Sequence, residues 1–385
     1  MSADLIVFGE DWASHPSSTQ HLIRHLPGER RVVWVNSIGL RRPRLDAADI
    51  GRAARKIGRA LHPGARTPPA PSVAQAPSVE GAPARIVQPL VLPMARSAAA
   101  RALNRTLLAR SVGGAARAAG LRRPVLWTSL PSAADAIGAV GEAALVYYCG
   151  DDFGALAGVD HAAAAALEAE IAARADLILA ASPALAARFP AGKTHLLPHG
   201  VDFDLFATSA PRAADLPQDG PVAGFYGALA PWIDTGLIAA TARLLPHWRF
   251  LLIGPEQTDT AALRACANVT LAGPRPHAAL AGYAQHWTAG LIPFHDNAQI
   301  RAANPLKLRE YLAAGRPVAA TPFPALEPYR AHVAVCRSPA ELARALEAAR
   351  YDPQAAGRAR RASVCGESWS ARAATAAALI DRLAA

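Results

Sequence analysis

The sequence predicts an α/β protein built on two doubly wound parallel sheets. Short apolar runs alternate with helical segments along nearly the whole chain, the pattern of strands covered on both faces by helices. The alternation occurs twice, before and after about residue 200, and 385 residues is a usual size for two domains. A hydrophobic content of 52% supplies core for both.

In the first half, Leu5-Ile6-Val7-Phe8-Gly9 is an apolar run ending in a loop, and residues 18–26 read as a helix. Further strands are expected at 31–36, 85–91, 124–128, 144–149 and 177–181, with helices rich in Ala and Glu before the last. Residues 63–84, rich in Pro, Ala and Ser, read as a loose excursion. In the second half, strands are expected at 222–227, 249–254, 268–273 and 288–293, with a helix near Thr235 and an Ala-rich helix over 366–385.

The chemistry concentrates in Asn304-Pro305-Leu306-Lys307-Leu308-Arg309-Glu310-Tyr311-Leu312-Ala313-Ala314-Gly315-Arg316-Pro317-Val318. Pro305 suits the first turn of a helix, Gly315 its C-terminal cap, and 317–321 a buried parallel strand. Lys307 and Glu310 are three apart and project from one face near the helix start. The unpaired N–H groups and positive dipole end there favour an anion. An ammonium for phosphate, beside a carboxylate that accepts from vicinal hydroxyls, suits a nucleotide sugar. Only three of the 40 basic side chains are lysines, so an ammonium at 307 in an arginine-dominated chain is a chemical choice. The plain alternative is a solvated helix lysine, and the surrounding string favours the functional reading.

This string resembles the donor-binding motif of glycosyltransferases with the glycosyltransferase-B (GT-B) fold. The resemblance is nearest to bacterial enzymes that build exopolysaccharide or teichuronic acid, including the xanthan glucuronosyltransferase type. It implies two Rossmann-like domains facing a cleft, with the C-terminal helix crossing back to the first domain. Residues 1–198 would hold the acceptor and catalytic base, 199–365 the donor, and 366–385 the crossover helix. His199-Gly200-Val201-Asp202 is similar to the Asn-Gly-Val-Asp turn at the hinge of such proteins. Asn304, Leu306, Lys307, Leu308 and Glu310 would then contact nucleotide and diphosphate. Related retaining enzymes carry two glutamates; Glu310 matches the second, and the first falls on Ala302.

Other loops at strand ends join the candidate donor site. Gly227 lacks a Cβ, so diphosphate can approach the following amides closely; its alternative is an ordinary tight turn. Gly254-Pro255-Glu256 and Pro274-Arg275-Pro276 occupy loops that frame the base in similar enzymes, so Gly254 and Arg275 are candidates, the latter also readable as a surface residue. Phe294-His295-Asp296-Asn297 could line the sugar pocket.

In the first half, Tyr147-Tyr148-Cys149-Gly150-Asp151-Asp152 places adjacent carboxylates after a strand. Their repulsion raises one pKa toward that of a useful base, and the string is similar to the Tyr-x-x-x-Asp-Asp of related polysaccharide enzymes. Asp151 is preferred to Asp152 as the catalytic base, with helix capping as the structural alternative. The loop Gly9-Glu10-Asp11-Trp12-Ala13-Ser14-His15-Pro16 has an acidic–aromatic counterpart in the relatives. Glu10, Asp11 and His15 are candidates to orient substrate and Trp12 to stack on a sugar, with Asn36 and Ser129 weaker.

The net charge of +10 is unevenly spread, with sixteen basic and three acidic residues between Arg41 and Arg123. Residues 50–61 form a basic amphipathic segment, able to lie on anionic lipid or to pack on its own domain. No nucleic-acid-binding module accompanies the charge. No P-loop or Gly-x-Gly-x-x-Gly string appears, so neither reading has support. Asp202-Phe203-Asp204 reads as a turn-stabilising acid pair, and no protein-held metal or cofactor is expected beyond the UDP-sugar co-substrate. Four cysteines without metal or redox spacing, and a short N-terminal apolar run, fit a reduced cytoplasmic setting, the protein being either soluble or attached to the inner face of the plasma membrane. The expected activity is metal-independent sugar transfer to a hydroxyl of a lipid-linked glycan, with inversion favoured. The alternatives are a nucleotide-sugar 2-epimerase and a non-catalytic sugar-nucleotide-binding protein.

Overall fold

The computed structural model describes residues 2–12, 17–38, 82–92, 97–155 and 160–384. His15, the basic segment at 50–61 and most of the 63–84 stretch lie outside the described residues. The chain divides into two compact units, residues 1–198 with 372–385, and residues 199–371.

Among the described residues the first unit contains a seven-stranded parallel sheet. Its strands are β1 (Leu5–Phe8), β2 (Val32–Val35), β3 (Arg85–Val87), β4 (Val125–Thr128), β5 (Ala144–Cys149), β6 (Leu177–Ala180) and β7 (Thr194–Leu196). The order is β3-β2-β1-β4-β5-β6-β7, so the chain starts at the middle, winds outward to β3 and returns at β4. Pairing aligns Phe8 with Val35 and Thr128, and Thr128 with Tyr147. All four residues of β1, β2, β4 and β6, and all six of β5, are buried, as expected for strands covered on both faces. The reversal of winding lies between β1 and β4, and a crevice opens at such a point beyond the strands' carboxyl ends.

The second unit repeats the plan with a six-stranded parallel sheet among its described residues. It comprises β8 (Val222–Tyr226), β9 (Arg249–Ile253), β10 (Val269–Leu271), β11 (Ala289–Ile292), β12 (Val318–Ala320) and β13 (Val333–Val335), in the order β10-β9-β8-β11-β12-β13. Its reversal lies between β8 and β11.

Three expectations change at sheet edges. β7 and β13 carry no sequence signal, since each is a three-residue strand, with exposed His195 and Leu196 in β7 and exposed Ala334 in β13. They exist because β6 and β12 supply a hydrogen-bonding partner. The strand expected over 85–91 shortens to Arg85–Val87 on the other edge.

The last helix, Trp369–Ala384, runs from the second unit into the first. In the first unit Asp381 takes both guanidinium nitrogens of Arg30, at 2.9 and 2.7 Å, and the N–H of Ala3. In the second unit the turn at His199–Asp202 is tied to the residues before this helix. Val201 donates to Glu367 at 3.0 Å, Trp369 donates to Val201 at 3.2 Å, and Asp202 caps the Phe203–Ala207 helix through the Leu205 N–H.

Candidate active site

In the second unit, the helix anticipated from the 304–318 string spans Leu306–Ala313. Pro305 occupies the capping position rather than the first turn, and no side chain caps the helix. At the other end Gly315, with φ of 75°, closes the helix; its N–H reaches Leu312 at 2.9 Å and that of Arg316 reaches Tyr311 at 3.3 Å.

The start of this helix meets the ends of β8 and β9. Gly254 has φ of 148°, and a Cβ there would stand 2.0 Å from the Gly227 carbonyl oxygen, so only glycine fits. A Cβ on Gly227 would lie 3.0 Å from Lys307 Nζ. The Lys307 ammonium sits 4.8 Å from the Phe225 ring centre and 5.3 Å from that of Phe294, and makes no hydrogen bond or ion pair among the described residues. Desolvation lowers its pKa to about 8, against the opposing charge of Glu310. The result is a half-buried cation held by aromatic faces, with no ion-pair partner among the described residues, at a helix N-terminus beside a backbone stripped of side chains.

Glu310 is buried and engaged on both oxygens. Tyr226 donates its hydroxyl to Oε2 at 2.7 Å, and His277 Nε2 lies 3.2 Å from Oε1. Burial disfavours the His277 imidazolium, but the hydrogen bond and charge of Glu310, with Asp202 adding, outweigh it and raise its pKa. His277 follows the Pro274-Arg275-Pro276 loop that sequence reasoning singled out, yet nothing in the local pattern marks it. Its partnership with Glu310 joins residues 33 apart.

The other donor-site candidates are placed differently. Leu306 is half-buried at the helix start, while the Leu308 side chain is fully buried in the hydrophobic core, leaving only its backbone for a ligand. Asn304 is buried and accepts from Arg309, whose guanidinium also binds Glu367 at 2.6 Å; Tyr329 donates to the same carboxylate. Arg275 is occupied by Asp215 at 2.8 Å, the Tyr283 hydroxyl at 3.2 Å and the Ala272 carbonyl at 2.7 Å. Ala302, where related retaining enzymes carry a glutamate, is buried.

In the first unit the two adjacent aspartates separate. Asp152 accepts from Arg188 at 2.7 Å and from the Gly154 N–H at 3.0 Å, while Arg188 also grips Glu168. The Asp151 carboxylate makes no hydrogen bond or ion pair among the described residues, and the backbone carbonyl of Asp151 accepts from the Cys149 thiol. Its side chain meets solvent, yet protein surrounds it closely enough that desolvation, with the charges of Glu10 and Asp152, raises its pKa to about 6. Among the described residues, the buried Oε2 of Glu10, which follows β1, and the buried Ser129 hydroxyl, just after β4, have no hydrogen-bond partner. Asp11 and Trp12, the other described side chains of the loop after β1, are engaged locally. Asp11 accepts from the Ser37 N–H and hydroxyl, Asn36 accepts from the Trp12 N–H, and the Trp12 ring lies between Trp34 and the Arg24 guanidinium.

Two parallel sheets, each reversing at its midpoint, are the architecture of the GT-B fold, and this chain has it. Solved structures agree over its length. The chain is similar to Anabaena HepE in complex with UDP and glucose (14% identity, TM-score 0.65, 99% of each chain). It is also similar to sucrose-phosphate synthase from Thermosynechococcus elongatus (17%, 0.68, 99% of each chain). A third similar structure is the Escherichia coli trehalose-6-phosphate protein bound with UDP-2-fluoro glucose (14%, 0.63, 99% of each chain). In sequence, it is 34% identical over 139 residues to a protein assigned as the teichuronic acid biosynthesis glycosyltransferase TuaH of Bacillus subtilis, across 34% of this chain. The match spans about a third (35%) of that relative's length. No family model matches the sequence. Among the described residues no helix is long and apolar enough to cross a membrane.

Proposed function

We propose that this protein is a glycosyltransferase that moves a sugar from a nucleoside-diphosphate donor, UDP-linked, to a hydroxyl of a glycan acceptor. The observation that carries the reading is Lys307, a half-buried ammonium with no ion-pair partner among the described residues, at the N-terminus of the Leu306–Ala313 helix and against Gly227. An unpaired cation in that setting is suited to a pyrophosphate, whose charge it would neutralise both in binding and as the leaving group departs. The UDP and UDP-sugar complexes of the structural neighbours support the donor class. The TuaH match supports a cell-envelope glycan as the acceptor class; in this reading the acceptor is lipid-linked and met at the inner membrane surface.

Asp151 is the base in this reading. The acceptor hydroxyl gives its proton to the Asp151 carboxylate as the hydroxyl oxygen bonds to the anomeric carbon, and the bond from that carbon to the diphosphate oxygen breaks with its electron pair on the departing nucleotide. Direct displacement of this kind inverts the anomeric centre. Asp152, neutralised by Arg188, is less suited to the role. The reaction needs no protein-held metal in this scheme, since Lys307 and the helix N–H groups carry the charge. Thermal unfolding with and without UDP tests the donor site. Wild type should gain several degrees at saturating ligand and Lys307→Ala much less, through a loss of about 10–100-fold in affinity. Equal shifts would remove Lys307 from the site.

A further inference from the structure

The Glu310 carboxylate is held from two sides by its own unit. Tyr226 and His277 take one oxygen each, and Tyr226 is itself buried. A carboxylate has about four acceptor positions, so each oxygen keeps capacity for a further donor. Two hydroxyls on adjacent ring carbons match that pair of oxygens. The imidazole is not free to drift. It begins the short His277–Ala279 turn and packs edge-on against the fully buried Phe206 ring, 5.7 Å between centres. The charged groups acting on it are Glu310 and Asp202, and the Lys307 ammonium is coupled to the same Glu310.

We infer that His277 is a positioning residue for nucleotide recognition. With Tyr226, it fixes the Glu310 carboxylate so that one free acceptor position on each oxygen meets the 2′- and 3′-hydroxyls of the donor's ribose. This rests on the reading of the second unit as the nucleotide-sugar half. His277 holds Oε1, the oxygen that meets the 2′-hydroxyl; in its absence the carboxylate keeps the Tyr226 bond but turns about it, and the 2′ contact is lost while the 3′ contact at Oε2 stays. The diphosphate contacts at Lys307 remain. His277 therefore tunes discrimination between ribose and deoxyribose, which a residue serving stability alone would not do.

The test is calorimetric titration of the full chain with UDP and with 2′-deoxy-UDP. Wild type should prefer UDP by about 10–100-fold, the worth of a hydrogen bond to a charged group. In His277→Phe that preference should fall below about threefold, with deoxy-UDP affinity nearly unchanged. His277→Gln, whose amide donates over a similar reach, should retain most of the preference. Where the Phe ring disturbs folding, as reported by the unfolding midpoint, His277→Asn gives the same comparison with an amide too short to reach Glu310. A wild-type protein that binds both diphosphates equally, or an unchanged ratio in His277→Phe, overturns the inference. A wild-type protein that binds neither overturns the nucleotide-sugar reading itself, and this inference with it.

Discussion

The two units wind their sheets in the same sense and end their central strands in opposite chemistry. In the first, the loops after β1 and β5 carry acids, and in the second the loops after β8 and β9 open on glycine, Gly227 lying beside Lys307. Desolvation acts on both and drives each group toward neutrality, raising the Asp151 carboxyl to about 6 and lowering the Lys307 ammonium to about 8. Near pH 7 the first is a carboxylate close to its proton affinity and the second still a cation. A fold that repeats therefore need not repeat function, because the strands fix where a loop emerges and the loop fixes what is presented.

The comparison breaks most sharply at Asp151. Asp151→Asn should lower the rate of UDP release in the presence of acceptor by about 10²–10⁴-fold, leaving UDP affinity unchanged, as loss of a general base would. Asp152→Asn should cost far less activity and act on stability instead, since it strips a partner from Arg188 and a bond from the Gly154 N–H. Equal kinetic losses in the two variants would erase the distinction between them.

The acidity profile is the next largest effect. A base must be deprotonated, so kcat/KM should rise with pH through about 6, and it should fall again above about 8 as Lys307 loses its charge. Asp151→Asn removes the acid limb, and Lys307→Arg removes the alkaline limb because a guanidinium does not titrate there. A flat profile between pH 5 and 9 would show that neither group governs the reaction.

The smallest effect tests the helix at the chain's end. Burial alone would raise the Asp381 pKa, but the Arg30 guanidinium and the Ala3 N–H hold it below the ordinary carboxylate range. Its stabilisation is therefore present above the unfolded pKa of about 3.9 and is lost as pH falls through the folded value. Asp381→Asn should lower stability by about 1 kcal/mol at pH 7, given the partial exposure of the carboxylate, and by progressively less toward pH 3. Denaturant titration at both pH values checks it.

Much of this architecture is readable along the chain. Buried runs such as Leu5–Phe8 and Ala144–Cys149 are apolar throughout because both sheet faces are covered, and helix ends are marked by groups as local as Gly315. The Lys307 helix is legible for the same reason, since cap, face and dipole all lie within one string. Partnerships are not legible. Adjacency on the chain offers two like carboxylates, with Asp151 preferred, and Arg188, 36 residues after Asp152, engages only the second. Nor does the sequence show that Asn304, in the Lys307 string, accepts from Arg309, or that Arg275, in the Pro274–Pro276 loop, pairs with Asp215.

What the sequence determined by itself is the periodic part of the protein: the alternation of strand and helix, the two halves, and the helix that begins beside Lys307. Those features follow from neighbours within a turn or two of chain. The tertiary structure alone decided which charges are neutralised, which polar groups are left open, and that His277 and Tyr226 converge on Glu310. A pKa or a hydrogen bond depends on what folding brings within a few ångströms, and these partners come from residues tens of positions apart.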